Sequence, residues 1–117
     1  PIFSLAIRSG DLIFLSGQLG AVPGESPPRV VEGGIEAETR QTIENISAVL
    51  DAAGATLQDL LKCTVFLADI EDYEAMNAVY AEYFTSDPPA RAALAGSGLA
   101  LGALVELDCI AVAPSSG

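Results

Sequence analysis

Apolar residues open the chain in two short runs, over residues 2–7 and 12–15, with Arg8 and the polar turn Ser9-Gly10-Asp11 between them. Two such runs about a glycine-centred turn predict a β-hairpin over residues 2–16, its second strand ended by Gly17 and Gly20. Residues 20–34 hold Pro23, Gly24, Pro27, Pro28, Gly33 and Gly34 without any helical period, which predicts a surface loop with a short strand at Val30 and Val31. From Ile35 the spacing changes. Thr39, Thr42, Ile43, Ile46, Val49, Leu50 and Ala53 recur at intervals of three and four, while Glu36, Glu38, Arg40, Glu44 and Asp51 fall largely on the other side. That is the stripe of an amphipathic helix, and Gly54 is its expected stop.

Thr56-Leu57-Gln58-Asp59 has the spacing of a capping box and predicts a short helical turn. Residues 61–68 are nearly all apolar or β-branched, as a central strand covered on at least one face requires. A second helix follows, with Asp69 or Asp72 as its N-cap and with Tyr73, Met76, Val79, Tyr80 and Tyr83 on one face, read as core rather than as a cofactor box. Ser86-Asp87-Pro88-Pro89 stops it, because proline lacks the amide donor and drives the residue before it toward extended geometry. Residues 90–94 read as a short strand. After the Gly96-Ser97-Gly98 turn, residues 103–113 alternate, with Val105, Leu107 and Cys109 on one face and Glu106, Asp108 and Ile110 on the other. Pro114 and residues 115–117 are left as a frayed tail. The order β-β-(β)-α-β-α-β-β predicts an α+β domain, a mixed β-sheet with two helices packed on one face and right-handed crossovers. No element remains to cover the other face, so a second subunit is expected there.

Length fits a single domain over residues 1–117, since domains average about 150 residues. Composition strengthens the expectation of an oligomer: the chain is 50% hydrophobic, more than one small core hides. Charge removes whole classes of function. With 16 Asp+Glu, 5 Lys+Arg and a net charge of −11, no basic footprint for nucleic acid exists, and an acidic membrane surface is an equally poor partner. Histidine is absent, which excludes a Ser/His/Asp or Cys/His relay, a His-ligated zinc and an imidazole base. Cys63 and Cys109 each sit inside an apolar run, so neither a CxxC pair nor a metal knuckle is present, and both are expected to be small buried hydrophobes. No run nears the ~18 apolar residues of a membrane span and no leader opens the chain, so the expected localisation is cytoplasmic.

Two residues carry candidate chemistry. Arg91 follows Pro88-Pro89-Ala90 and leads into an otherwise apolar strand, where a guanidinium needs an anion: either a ligand carboxylate, gripped in bidentate fashion, or one of the chain's own acids. Glu106 lies on an alternating strand between Val105 and Leu107. It is either a solvent-facing residue or a half-buried carboxyl with a raised pKa, suited to proton transfer near neutral pH. Pro1, as a free amine, could act as a base or nucleophile, but ordinary N-terminal trimming explains it as well.

These residues sit among motifs that resemble a known family. Leu15-Ser16-Gly17-Gln18 after a hairpin, Gln41 to Asn45 with Ala52-Ala53-Gly54, Val65-Phe66-Leu67 before an acidic turn, Met76-Asn77-Ala78-Val79-Tyr80 with Phe84, and Pro89-Ala90-Arg91 followed by Val105-Glu106-Leu107 together resemble the RidA (YjgF) family over residues 3–113. The resemblance implies a chorismate-mutase-like fold and a homotrimer with a central β-barrel and inter-subunit active sites. It implies cofactor-free, metal-free hydrolysis of enamines and imines, such as 2-aminoacrylate and 2-iminopropanoate, to 2-keto acids and ammonia. By position, Arg91 would clamp the substrate carboxylate and Glu106 would activate water, with Phe3, Ser16, Gly17, Asn77, Phe84 and Ala93 about the substrate. Several features depart from the family pattern, a short loop from Phe84 to Arg91 among them. Phe3 stands where tyrosine is frequent, Pro1-Ile2 replaces a glycine-proline pair, and Ala93 replaces a frequent cysteine. They leave room for a related catabolic deaminase of aminomuconate type, or for a regulatory trimer that binds a small carboxylate without turnover. Ribonuclease activity, sometimes ascribed to the family, fits poorly with the charge and the missing histidine.

Overall fold

The computed structural model describes residues 2–114; the Pro1 amine and the tail at 115–117 lie outside the described residues. The hairpin forms as β1 (Ala6–Ser9) and β2 (Leu12–Leu15), shorter at its start than expected. Gly10 supplies the positive φ that a tight hairpin turn needs, at 60°. A two-residue strand that the sequence pattern hid, β3 (Gln18–Leu19), lies between the two glycines expected merely to end β2. The strand expected at Val30 and Val31 reduces to an isolated bridge between Ala21 and Val30.

Helix α1 (Gly34–Ala52) starts one residue before the predicted Ile35 and ends before Gly54, which takes φ 79°. The capping box forms, with the Thr56 amide donating to Asp59 Oδ2 at 2.8 Å. Strand β4 (Leu60–Leu67) follows, then helix α2 (Tyr73–Tyr83), β5 (Ala90–Ala95) and β6 (Val105–Val112). Asp69 caps the turn ahead of α2 by accepting from the Glu71 amide at 2.9 Å, whereas Asp72 occupies the α2 N-cap without a side-chain bond.

The six strands form one mixed sheet in the order β1-β2-β6-β4-β5, with β3 beside β6 and only β4 and β5 parallel. Strand β4 is central, as its apolar run predicts. Its residues Cys63, Val65 and Leu67, and Val105, Leu107 and Cys109 of β6, point to the buried face, where they meet Ile43, Ile46 and Leu50 of α1 and Met76 and Tyr80 of α2. Branched side chains buried this fully contribute roughly 1.5–3 kcal/mol each before entropy is counted. The opposite face carries Ile7, Phe14, Phe66, Leu94 and Ile110; Ile7 is 55% exposed and Leu94 46%.

Two expectations need correction. Cys63 and Cys109 are not separate hydrophobes: the antiparallel register sets them opposite each other, Cα atoms 4.1 Å apart, and they are joined as a disulfide. Their distance along the chain concealed a pairing that only the β4–β6 register reveals. Glu38, assigned to the polar side of α1, is 5% exposed. It borders the apolar stripe, and its Oε1 accepts from the Leu104 amide at 2.8 Å, an orphan donor in the loop before β6.

Candidate active site

The candidate residues gather in two groups. Phe3, Ser16, Gly17 and Glu106 line a cleft of about 380 Å³ together with Leu19 and Ala100, which sequence reasoning did not single out. The pairing of β3 with β6 puts Leu19 opposite Glu106 and so builds this wall. Ser16 is fixed through its hydroxyl, which donates to the Ser4 carbonyl, and through its amide, which donates to the Leu5 carbonyl at 2.9 Å. Gly17 is glycine for lack of room: a Cβ there would stand 2.5 Å from Oε2 of Glu106. Ala100 arrives on a turn whose return to β6 is anchored at Leu104. That residue's amide donates to Glu38 and its carbonyl accepts from the Ala68 amide at 3.0 Å.

Glu106 is half-buried, and its carboxylate has no hydrogen bond among the described residues. Burial raises its pKa above the ordinary carboxylate range, and the nearby Asp108 charge adds to the rise. The solvent-facing alternative for Glu106 therefore gives way to a carboxyl held in a cleft with its proton affinity increased.

The second group surrounds Arg91. Its Nη2 donates to the Tyr73 hydroxyl at 2.9 Å, and its guanidinium carbon lies 4.8 Å from the Tyr80 ring centroid and 5.6 Å from that of Tyr73. Phe84 packs on Tyr80 with centroids 4.5 Å apart. Asn77 is on the same helix, and its Oδ1 is buried without a partner among the described residues. Ala93 follows on the Arg91 side of β5, partly buried against the core. Among the described residues, ion pairs join Arg29 to Glu25 and Arg40 to Glu82, and none reaches Arg91. The internal ion pair considered for Arg91 is thus not formed; a neutral phenol and two ring faces stand where an acid would have been. Tyr73 is more than the core aromatic its periodicity suggested. A hydrogen bond from Asn77 and the charge of Arg91 hold its phenol below the ordinary pKa, while burial pushes Tyr80 up.

The two groups do not meet within one chain. Arg91 and Cys109 both register with Cys63, so Arg91 shares the helix-covered face, whereas Glu106, three residues from Cys109, points to the open face with Phe66. Strand β4 lies between them. A reaction that used both would need them from different copies of the chain.

A mixed sheet with two helices on one face, a guanidinium without an acid at its edge strand and a half-buried carboxyl in a cleft on its open face define the class: a small α+β domain. The chain belongs to the RidA (YjgF) family; the family profile described as Endoribonuclease L-PSP matches residues 2–113. A 2-iminobutanoate/2-iminopropanoate deaminase of Capra hircus is 43% identical over 110 residues, 94% of this chain and 79% of that protein. A RutC family protein of Pyrococcus horikoshii is 44% identical over 109 residues, 93% of this chain and 85% of that one. The crystal structure of RidA from an Antarctic Psychrobacter superposes with a TM-score of 0.88 at 35% identity, covering 96% of this chain and 89% of its own. Among the described residues no helix is long and apolar enough to cross a membrane.

Proposed function

We propose that the chain hydrolyses reactive enamines and imines of the 2-aminoacrylate and 2-iminopropanoate kind to 2-keto acids and ammonia, as a homotrimer with its sites between subunits. The observation that carries this reading is the half-buried Arg91 guanidinium, left without an acid in a chain of 16 carboxylates. A substrate carboxylate is the anion it lacks. The Capra hircus relative, a 2-iminobutanoate/2-iminopropanoate deaminase, supports the reaction class, and the placement of Arg91 and Glu106 on opposite faces supports a site shared between subunits.

In this scheme Arg91 of one subunit clamps the carboxylate of the 2-imino acid, and Glu106 of another orients a water against the imine carbon. Glu106 takes a proton from that water as the new C–O bond forms and the C=N electron pair moves to nitrogen. Glu106 returns that proton to nitrogen, which gives a carbinolamine; it then takes the proton of the new hydroxyl and passes it to nitrogen as the C–O double bond forms and the C–N bond breaks, releasing ammonia and leaving the keto group. An enamine enters after tautomerising, its terminal carbon gaining a proton and its nitrogen losing one to give the imine. The imine carbon is already electrophilic, so positioning and one acid/base group suffice. Burial raises the Glu106 pKa, so its carboxylate takes up a proton more readily than an exposed one would. The cytoplasm, where amino acids are metabolised, suits this role.

The test is ammonia and keto-acid release from 2-imino acids generated enzymatically in the assay, with wild type and Arg91→Ala. Wild-type turnover with a loss of about 10²-fold or more in kcat/KM for the variant is expected, on the scale of a lost charged hydrogen bond and its unpaired partner. Equal rates, or none above buffer, refute the reading. Stabilisation by 2-oxobutanoate or benzoate in a thermal shift, without turnover, would instead establish a carboxylate-binding regulatory trimer.

A further inference from the structure

The scheme above gives no role to Tyr73, the phenol bonded to Arg91. Its hydroxyl oxygen accepts from Arg91 Nη2 at 2.9 Å, a contact that brings a donor to the oxygen. A phenol also carries one proton to give, and no acceptor among the described residues takes it. The ring is no sealed core residue either: it borders an open cleft of about 380 Å³ with Ile70, Glu71 and Glu74.

We propose that Tyr73 is a second carboxylate donor of the site, its O–H bonding one oxygen of the anion while the free N–H groups of Arg91 bond the other. The inference rests on the reading of Arg91 as the carboxylate clamp and adds a specificity element to it. The Arg91–Tyr73 bond already holds guanidinium and phenol as neighbours before any ligand arrives, so little side-chain freedom is lost on binding. The phenol is neutral and brings no competing negative charge beside the guanidinium. Phe3, in the Glu106 cleft, has no hydroxyl to offer, which leaves Tyr73 as the solvent-reaching phenol of the two groups. The ligand class that fits is a small 2-oxo or 2-imino acid with a free carboxylate, not its ester or amide.

Calorimetric titration of the full chain with 2-oxobutanoate and with 2-oxobutanamide, for wild type, Tyr73→Phe and Arg91→Ala, tests this. A thermal melt of Tyr73→Phe, which removes a single oxygen, checks that the variant keeps the fold. Tyr73→Phe is expected to bind 2-oxobutanoate at least about tenfold more weakly while its affinity for the amide stays within about twofold. In the deaminase assay the same variant raises KM far more than it lowers kcat. Equal 2-oxobutanoate affinity in wild type and Tyr73→Phe overturns the inference while leaving Arg91 to be judged by its own variant. Equal weakening for acid and amide also overturns it, because a shape effect would do that. Tight wild-type binding with the Tyr73 effect but no ammonia release supports the inference and sinks the hydrolysis; no wild-type binding at all overturns both.

Discussion

Replacing Gly17 with alanine tests whether the position of the Glu106 carboxylate matters, with little disturbance of the fold. The added Cβ would stand 2.5 Å from Oε2, 3.1 Å from Cδ and 3.4 Å from Cγ of Glu106. Ordinary carbon contacts lie near 3.5–4.0 Å, so the carboxylate must retreat by about 1 Å. Gly17 is not among the positive-φ glycines, and alanine therefore brings no backbone strain. The displaced atoms are the free end of a flexible side chain. An off-rotamer adjustment costs about 0.5–1.5 kcal/mol, a fall of a few degrees in Tm for a domain of this size. Catalysis is far more sensitive: a misplacement of about 1 Å can cost about 10²-fold. With Arg91 untouched, the loss should fall on kcat rather than on KM. Ammonia release from an enzymatically generated 2-imino acid, measured beside a thermal melt, separates the two effects. A kcat within about threefold of wild type at an unchanged Tm would refute the role of Glu106, since no group that moves protons in the transition state tolerates such a shift. A collapse of Tm would show instead that the glycine serves the backbone.

Two further outcomes are expected. If each site takes Arg91 from one subunit and Glu106 from another, Arg91→Ala and Glu106→Gln, each inactive alone, should recover activity when unfolded together and refolded as a mixture, with about a quarter of the sites intact; activity no higher than that of either variant alone would refute the shared site. Burial raises the Glu38 pKa above its ordinary value of 4.5. Its contribution to stability is therefore full below that value and is lost as pH rises through the folded value. Glu38→Gln keeps an acceptor for the Leu104 amide and removes the buried charge, so it should melt at or above the wild-type temperature at neutral pH, with the difference shrinking in acid. Glu38→Ala orphans that amide and should cost about 1–3 kcal/mol. A Glu38→Gln protein that melts lower than wild type at neutral pH would contradict this account.

Much of the architecture was legible because it rests on local signals. The period of α1, the alternation of β6, the proline stop after α2 and the Thr56–Asp59 box each involve neighbours in sequence, and each appears where it was expected. What escaped depends on register. Strand β3 is only two residues long and exists because β6 offers Leu107 and Glu106 as partners. The Cys63–Cys109 pairing needs two strands set side by side. Glu38 was placed on the polar side for its charge although it borders the apolar stripe, and the Leu104 amide across the fold gives its buried carboxylate a partner. Among the candidate site residues, Arg91 and Glu106 were visible as charges out of place in apolar strands. Tyr73 was not, since an aromatic in a helical stripe has the pattern of core whether or not an arginine lies against its hydroxyl.

The acidity of the chain and the isolation of Arg91 bear on each other. With carboxylates this numerous, evolution had many acids with which to neutralise a half-buried guanidinium, and the structure surrounds it with rings and a phenol instead. Rings keep the cation in place without satisfying its fork, so its donors stay available to an anion. The same arrangement leaves Glu106 without a cation to lower its pKa, because strand β4 and the thickness of the sheet stand between the two. Paired directly, the two charges would cancel: the arginine would lose its anion site and the glutamate its affinity for a proton. On the proposed reading, setting them on opposite faces of each chain and bringing them to one substrate only across a subunit boundary would let the carboxylate of the substrate take the arginine while the glutamate keeps its proton chemistry. On the same reading, the apolar open face does more than hold subunits together. Burying it is the step that completes the site, so assembly and activity share one surface.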